Sequence, residues 1–190
     1  MELARHDGGQ AGQLVDELCE VYAAVFTEPP FLEPAEQAEL FAREVRSELG
    51  APGFACWTAR EDGRLLGFIY GYVTEVGDPP SDWERRLLAA VGDDLADRWI
   101  RDQFAVAWFA VRPEARGRGI GSRLYDLLLG TTDRPRVWLV THDLESPARA
   151  FYRRRGWREL GRGALGWDRE ERLVLGLERR AGQRRAATTM

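Results

Sequence analysis

The stretch Val111-Arg112-Pro113-Glu114-Ala115-Arg116-Gly117-Arg118-Gly119-Ile120-Gly121-Ser122 carries the densest chemistry in the chain. Glycines at 117, 119 and 121 let a backbone approach a ligand closely, because no Cβ stands in the way. An apolar run, Gln103 to Val111, precedes the stretch, and an amphipathic one follows it. A helix starting here offers unpaired N–H groups and the positive end of its dipole. That combination holds a pyrophosphate, and Arg116 and Arg118 add positive charge beside it. Two common phosphate loops fit poorly. A dinucleotide fingerprint needs G-x-G-x-x-G after the first strand of its unit, and a Walker loop needs a lysine. All 27 strongly basic residues are arginine, which also excludes a Schiff-base lysine.

The pattern Arg116-x-x-Gly119-x-Gly121 resembles the acyl-CoA signature of the GNAT acetyltransferases. Downstream, Ala148-x-x-Phe151-Tyr152-x-x-x-Gly156-Trp157 is similar to the second signature of that family, at the expected separation. The likeness spans residues 11–178, with the diagnostic motifs in 104–157. It implies an α/β (α+β) GNAT acyl-CoA N-acyltransferase fold, with a mixed central sheet of about six to seven strands flanked by helices. It implies fourth and fifth strands, here 103–111 and 136–141, that splay to admit the pantetheine arm. The backbone of Phe109, Ala110 and Val111 would pair with the pantetheine amides. Main-chain N–H groups of Arg116, Gly117, Arg118, Gly119, Ile120, Gly121 and Ser122 would hold the pyrophosphate. The run Arg153-Arg154-Arg155, and Arg155 in particular, would meet the 3′-phosphate. Glu145 departs from the asparagine common at its place, so one CoA contact usual in the family does not carry over to this chain by resemblance.

Under this resemblance Tyr152 lies near the thioester and acts as general acid, protonating the departing CoA thiolate. Without its flanking motif it reads as a core tyrosine on a short helix. The general base is a carboxylate with three candidates, Glu75, Asp102 and Asp143. Glu75 leads because it ends the strand that would border the acceptor cleft. Each also reads as a solvated strand-end charge. His142, after the fifth strand, is a further candidate, since histidine titrates near neutrality.

The implied activity is transfer of an acetyl group from acetyl-CoA, as co-substrate, to a primary amine of a small molecule or peptide in a ternary complex. The alternative is a non-catalytic GNAT-fold module that binds acyl-CoA and regulates. The locally acidic stretch 78–102 suggests a cationic acceptor such as an amino sugar, a polyamine or a peptide N-terminus. A homodimer is common in such a family.

The elements that must position these residues follow from periodicity. Leu14, Leu18, Val21, Tyr22 and Val25 mark one helix over 11–26, and Leu40, Phe41, Val45 and Leu49 a second over 34–49. Strands at 54–60 and 64–74 flank Glu61-Asp62-Gly63, a hairpin turn sequence. Residues 77–102 read as an insertion of one or two short helices, in which Trp83 and Trp99 either line an acceptor pocket or, the favoured reading, anchor the insertion. Gln103–Val111 and Arg136–Thr141 read as strands buried on both faces. A helix over 119–130 presents Ile120, Leu124, Leu127 and Leu128. Ser146-Pro147 opens a short helix that Gly156 stops. Leu173–Leu177 is a last strand, and 179–190 a basic, polar, disordered tail after a single domain at 1–178.

Composition bounds the rest. The chain has 190 residues, 44% hydrophobic and 31% charged, enough for one unstapled core. Two cysteines make no disulfide framework. Two distant histidines offer no metal cluster. A net charge of −4 argues against nucleic acid as a partner. No apolar run reaches the roughly 18 residues of a membrane span, and the N-terminus lacks a signal-peptide core, so the expected location is the cytoplasm, with no membrane partner.

Overall fold

The computed structural model describes residues 1–167 and 169–179. In chain order the elements are β1 (Glu2–His6), α1 (Gly8–Gly12), α2 (Val15–Phe26), α3 (Gln37–Glu48), β2 (Ala55–Glu61), β3 (Arg64–Val73), α4 (Asp82–Val91), α5 (Asp93–Trp99), β4 (Phe104–Val111), α6 (Ile120–Gly130), β5 (Arg136–His142), α7 (Pro147–Arg154), β6 (Arg158–Ala164) and β7 (Glu171–Glu178). The strands form one mixed sheet in the order β1-β2-β3-β4-β5-β7-β6. The pairs β1/β2, β2/β3, β5/β7 and β6/β7 are antiparallel. β4 pairs with β5 in parallel, at Phe104–Val137 and Ala105–Trp138. The α/β class and strand number expected from the sequence are those observed. The chain divides into two compact units.

Unit 1 comprises Met1–Tyr72 and Val106–Asp133. Asp62 and Gly63 both take positive φ, 50° and 77°, the two-residue turn that matches strand twist, and this sets the register of β2 on β3. Tyr22 of α2, Phe41 of α3 and Trp108 of β4 form an aromatic core. The Tyr22 and Phe41 rings stack at 4.7 Å, and Trp108 meets both edge-on at 5.4 and 5.1 Å. Such pairs add stability beyond the area they bury. The opposite face of the sheet receives α6, which packs against β2 through buried Ile120, Leu124 and Leu128.

Three expectations are corrected in this unit. The single helix over 11–26 is two, because Asp7 and Gln10 form a capping box that closes the one-turn α1 ahead of α2. β1 escaped the periodicity because it is five residues long and partly exposed. Leu40 points to solvent, and α3 buries Gln37, Phe41 and Val45 instead.

Unit 2, among the described residues, comprises Val73–Ala105 and 134–179. The insertion folds as α4 and α5. Ser81 and Glu84 form a capping box at the start of α4. Both tryptophans anchor, as expected. Trp99 is fully buried, with the Arg136 and Arg158 guanidinium groups over its ring at 5.5 and 4.6 Å. The Trp83 indole N–H donates to the Leu165 carbonyl at 3.0 Å. β6 was not anticipated. It is an exposed edge strand whose Gly161 admits α4 so closely that a Cβ there would lie 2.0 Å from the Ala90 oxygen. Arg179, assigned to a loose tail, is buried and donates its amide to Pro135 at 2.9 Å. The rest of that tail, 180–190, lies outside the described residues.

Candidate active site

The glycine-rich loop belongs wholly to unit 1, and β4 delivers it. At the strand's exit the Arg112 amide donates to Leu66 at 2.9 Å, and its Nε donates to the Leu65 carbonyl at 2.8 Å. Arg112 is nearly buried, so these bonds fix where the loop begins. Pro113–Ala115 form one turn of 3-10 helix. Gly117 and Gly119 then take φ of 76° and 77°, a left-handed backbone that other residues adopt at a cost. Gly121 serves differently. A Cβ there would lie 3.2 Å from the Phe109 ring, so its absence lets α6 close on β4.

The structure therefore brings Phe109, Ala110 and Val111 together with Arg116 to Ser122 in one unit. Not every expected donor is open. The Arg116 amide bonds Pro113 at 3.2 Å, and its Nε reaches the Val111 carbonyl at 3.3 Å. Arg118 donates one guanidinium nitrogen to both oxygens of Glu61, at 2.6 and 2.9 Å. That hydrogen bond and the arginine charge hold the Glu61 carboxyl below its usual range, so part of the Arg118 charge is already answered. A helix leaves its first-turn amides over for an anion, and in α6 that turn begins at Ile120 and Gly121.

The other face of β4 carries a group that sequence reasoning missed. Trp108 and Phe109 are neighbours on a strand and so point to opposite faces. The Trp108 indole N–H donates to Glu44 of α3 at 3.0 Å. One turn on, Glu48 accepts hydrogen bonds from the Tyr70 and Tyr72 hydroxyls, each at 2.6 Å. Burial, followed by the Glu44 charge, pushes the Glu48 carboxyl up to about 7, against the lowering pull of the two tyrosines. Desolvation first, then these carboxylates, raises Tyr70 well above the ordinary phenol range. A signal was present. Glu44 and Glu48 fall in the same stripe as Phe41 and Val45, so two carboxylates occupy core-facing positions of an amphipathic helix. β4 also opens here. Expected buried on both faces, it is closed at Phe104–Val106 and half-exposed at Ala107–Phe109.

The remaining candidates belong to unit 2. Ser146 caps α7 by accepting the Arg149 amide at 3.2 Å, and α7 carries Tyr152. Tyr152 is buried, 5.7 Å from the Phe151 ring and 5.5 Å from Trp157. Arg155 lies over the Phe151 ring at 3.6 Å. Arg153 donates twice to Glu145, both at 2.8 Å, so the residue that departs from the family pattern fastens a neighbouring arginine. Glu75 is exposed beyond β3 and lines an open recess with Thr74, Val76, Gly77, Arg101 and Asp102. Asp102 is held by Arg134 at 2.8 Å. Asp143 is held by Arg149 and Arg162 at 3.0 and 2.9 Å. His142 is half-buried and pairs with Arg172 across β5 and β7. Among the described residues, no three or more His, Cys, Asp or Glu side chains are grouped to hold a metal ion. Among them, too, no helix is long and apolar enough to cross a membrane.

Over residues 14–157 the chain matches the model of the acetyltransferase (GNAT) family. A comparison with curated proteins gives no match. Solved structures resemble it in fold. A protein from Pyrococcus horikoshii OT3 is 15% identical, with 94% of this chain and 99% of that one covered, at a TM-score of 0.62. An aminoglycoside 6′-N-acetyltransferase complexed with coenzyme A is 18% identical, with 94% and 97% covered, at 0.59. GphF, a GNAT-like decarboxylase in complex with isobutyryl-CoA, is 18% identical, with 94% and 99% covered, at 0.60.

Proposed function

Since the chain belongs to the GNAT acetyltransferase family, we propose that it transfers an acetyl group from acetyl-CoA to a primary amine by direct attack in a ternary complex. Family membership supports acyl transfer from an acyl-CoA; the acetyl group and the amine are the proposed part. The observation that carries the reading is the loop. Gly117 and Gly119 hold left-handed backbone, and Gly121 draws α6 onto Phe109. The first-turn amides are thereby presented to a pyrophosphate. The amine attacks the thioester carbonyl, the tetrahedral oxyanion collapses, and the C–S bond breaks. Tyr152 is assigned the proton that the departing thiolate needs, on its motif and residue type.

A second reading, acyl-CoA binding without turnover, is favoured by one observation. Asp102 and Asp143 are tied to arginines, so their oxygens already accept from guanidinium groups and are not turned to an incoming amine.

One experiment separates the readings. Calorimetric titration with acetyl-CoA is expected to give micromolar binding, abolished in Gly119→Glu, which puts a strained, negatively charged residue where the pyrophosphate would lie. Thiol release is then followed with spermidine, kanamycin and a short peptide as acceptors. Release with any of them supports transfer. Tight binding with none turned over favours the binding module. Absence of binding to acetyl-CoA overturns both.

A further inference from the structure

α3 carries carboxylates in two kinds of place. Glu39 faces solvent, 3.6 Å from Arg43 one turn away. Glu44 and Glu48 lie in the stripe that Phe41 and Val45 bury against the sheet. Like charges at i and i+4 destabilise a helix, and drawing them from water costs more. The hydrogen bonds that Glu48 accepts come from neutral groups, the Tyr70 and Tyr72 hydroxyls, and Glu44 accepts one from the Trp108 indole. Neutral donors orient the Glu48 carboxylate and leave its charge in place. The aromatic residues at this edge, Tyr72 and Trp108, are half-exposed, whereas Phe68 and Tyr70 behind them are closed. The same strand, β4, carries Phe109 under the glycine-rich loop on its other face.

We propose that Glu48 is the proton acceptor for the amine substrate, and that Glu44, Tyr72 and Trp108 receive the ammonium group that brings the proton. The assignment rests on the acyl-transfer reading above and proposes Glu48 as the base in place of Glu75, Asp102 and Asp143.

The substrate it implies is a primary amine, protonated in solution, whose cation settles between carboxylates and ring faces. The Glu48 carboxylate takes one proton from R–NH3+, leaving a neutral amine and a carboxylic acid. The nitrogen lone pair forms the N–C bond, and the C–S bond breaks with its electron pair left on sulfur. Tyr152 gives that thiolate its proton and is replenished by the second N–H proton, and Glu48 returns its own proton to water. A base works best when it titrates near the working pH. Among the described residues, the charged and titratable groups bearing on Glu48 are Glu44 from its own helix and Tyr70 and Tyr72 from β3; β4 contributes the neutral indole of Trp108 beside Glu44.

The test compares wild type with Glu48→Gln. Acetyl-CoA affinity in calorimetry is expected to stay within about twofold, which shows the variant folded and its donor loop intact. With an amine that the wild type acetylates, kcat/KM at pH 7 is expected to fall roughly 100-fold, and the acidic limb near pH 7 to vanish. A rate within about threefold of wild type with that limb retained overturns the assignment. Carbon-13 NMR of glutamate-labelled protein gives a readout that needs no acceptor. A carboxyl resonance titrating near 7, lost in Glu48→Gln, is expected; ordinary carboxylate titration overturns the proposal. Should wild type bind no acetyl-CoA, the donor reading fails by itself, and the NMR titration still decides whether Glu48 is poised as a base.

Discussion

Glu48 concentrates the chemistry of unit 1 because it is both half-buried and tethered, and its partial burial has a consequence for stability whatever its catalytic role. Its folded carboxyl is raised from 4.5 to about 7, by burial first and by Glu44 second. An acid raised on folding binds its proton more tightly in the native state than in the unfolded one. Its favourable contribution is therefore present below the unfolded value, and it fades as pH rises from about 4.5 through 7. Above 7 the fold carries an ionised carboxylate in a poorly solvated place. At about 1.4 kcal/mol per pH unit, that displacement amounts to about 3.5 kcal/mol as an upper figure, since part of the side chain still meets water. Glutamine removes the ionisation. The Tm of Glu48→Gln relative to wild type is expected to rise between pH 4.5 and 7 and to level off above 8. A Tm difference independent of pH, measured by calorimetry across that range, would show that Glu48 titrates like a solvated carboxylate.

At the scale of elements, α7 shows how a functional side chain is placed by a short piece of structure. Eight residues make a marginal helix, so its first turn matters. Ser146 is nearly buried, its Oγ takes the Arg149 amide, and Pro147 supplies a pre-set first residue. Ser146→Ala is expected to cost about 1 kcal/mol, read as a lower urea midpoint at unchanged slope; an unchanged midpoint would mean that packing of Tyr152 and Trp157 alone holds the helix. This start was legible, because serine-proline before an amphipathic stretch has a mechanism behind it. So was the loop, whose glycines have a geometric reason at each position. β1 and β6 were not, being short, exposed strands whose polarity hides any period of two. The break between α1 and α2 was hidden by an apolar stripe that runs on through Leu14. Glu48 was missed for another reason. Reading only the apolar members of a stripe discards the polar residue placed among them, and here that residue is the one whose environment perturbs it most usefully. Glu75 was favoured for its place at a strand end, and the structure leaves it exposed.

For the molecule as a whole, a ligand that binds only the folded chain must stabilise it by mass action, and this links the loop to the fold without reference to turnover. At a free concentration about 100 times Kd the gain is about 2.7 kcal/mol. For a chain of 190 residues, each kcal/mol moves Tm by roughly 2–4 °C. Acetyl-CoA is therefore expected to raise Tm by about 5–10 °C, and the shift should grow with the logarithm of its concentration. Gly119→Glu must lose this dependence. It must also begin from a lower Tm, because a side chain at a φ of 77° costs about 1–2 kcal/mol. The two effects separate cleanly: the first is a slope against ligand concentration and the second an offset without ligand. An offset with the slope retained would place the acyl-CoA site away from the loop while leaving the backbone strain at Gly119 intact. A slope lost without an offset would mean that the left-handed turn at Gly119 relaxes when substituted, and that charge alone excludes the pyrophosphate.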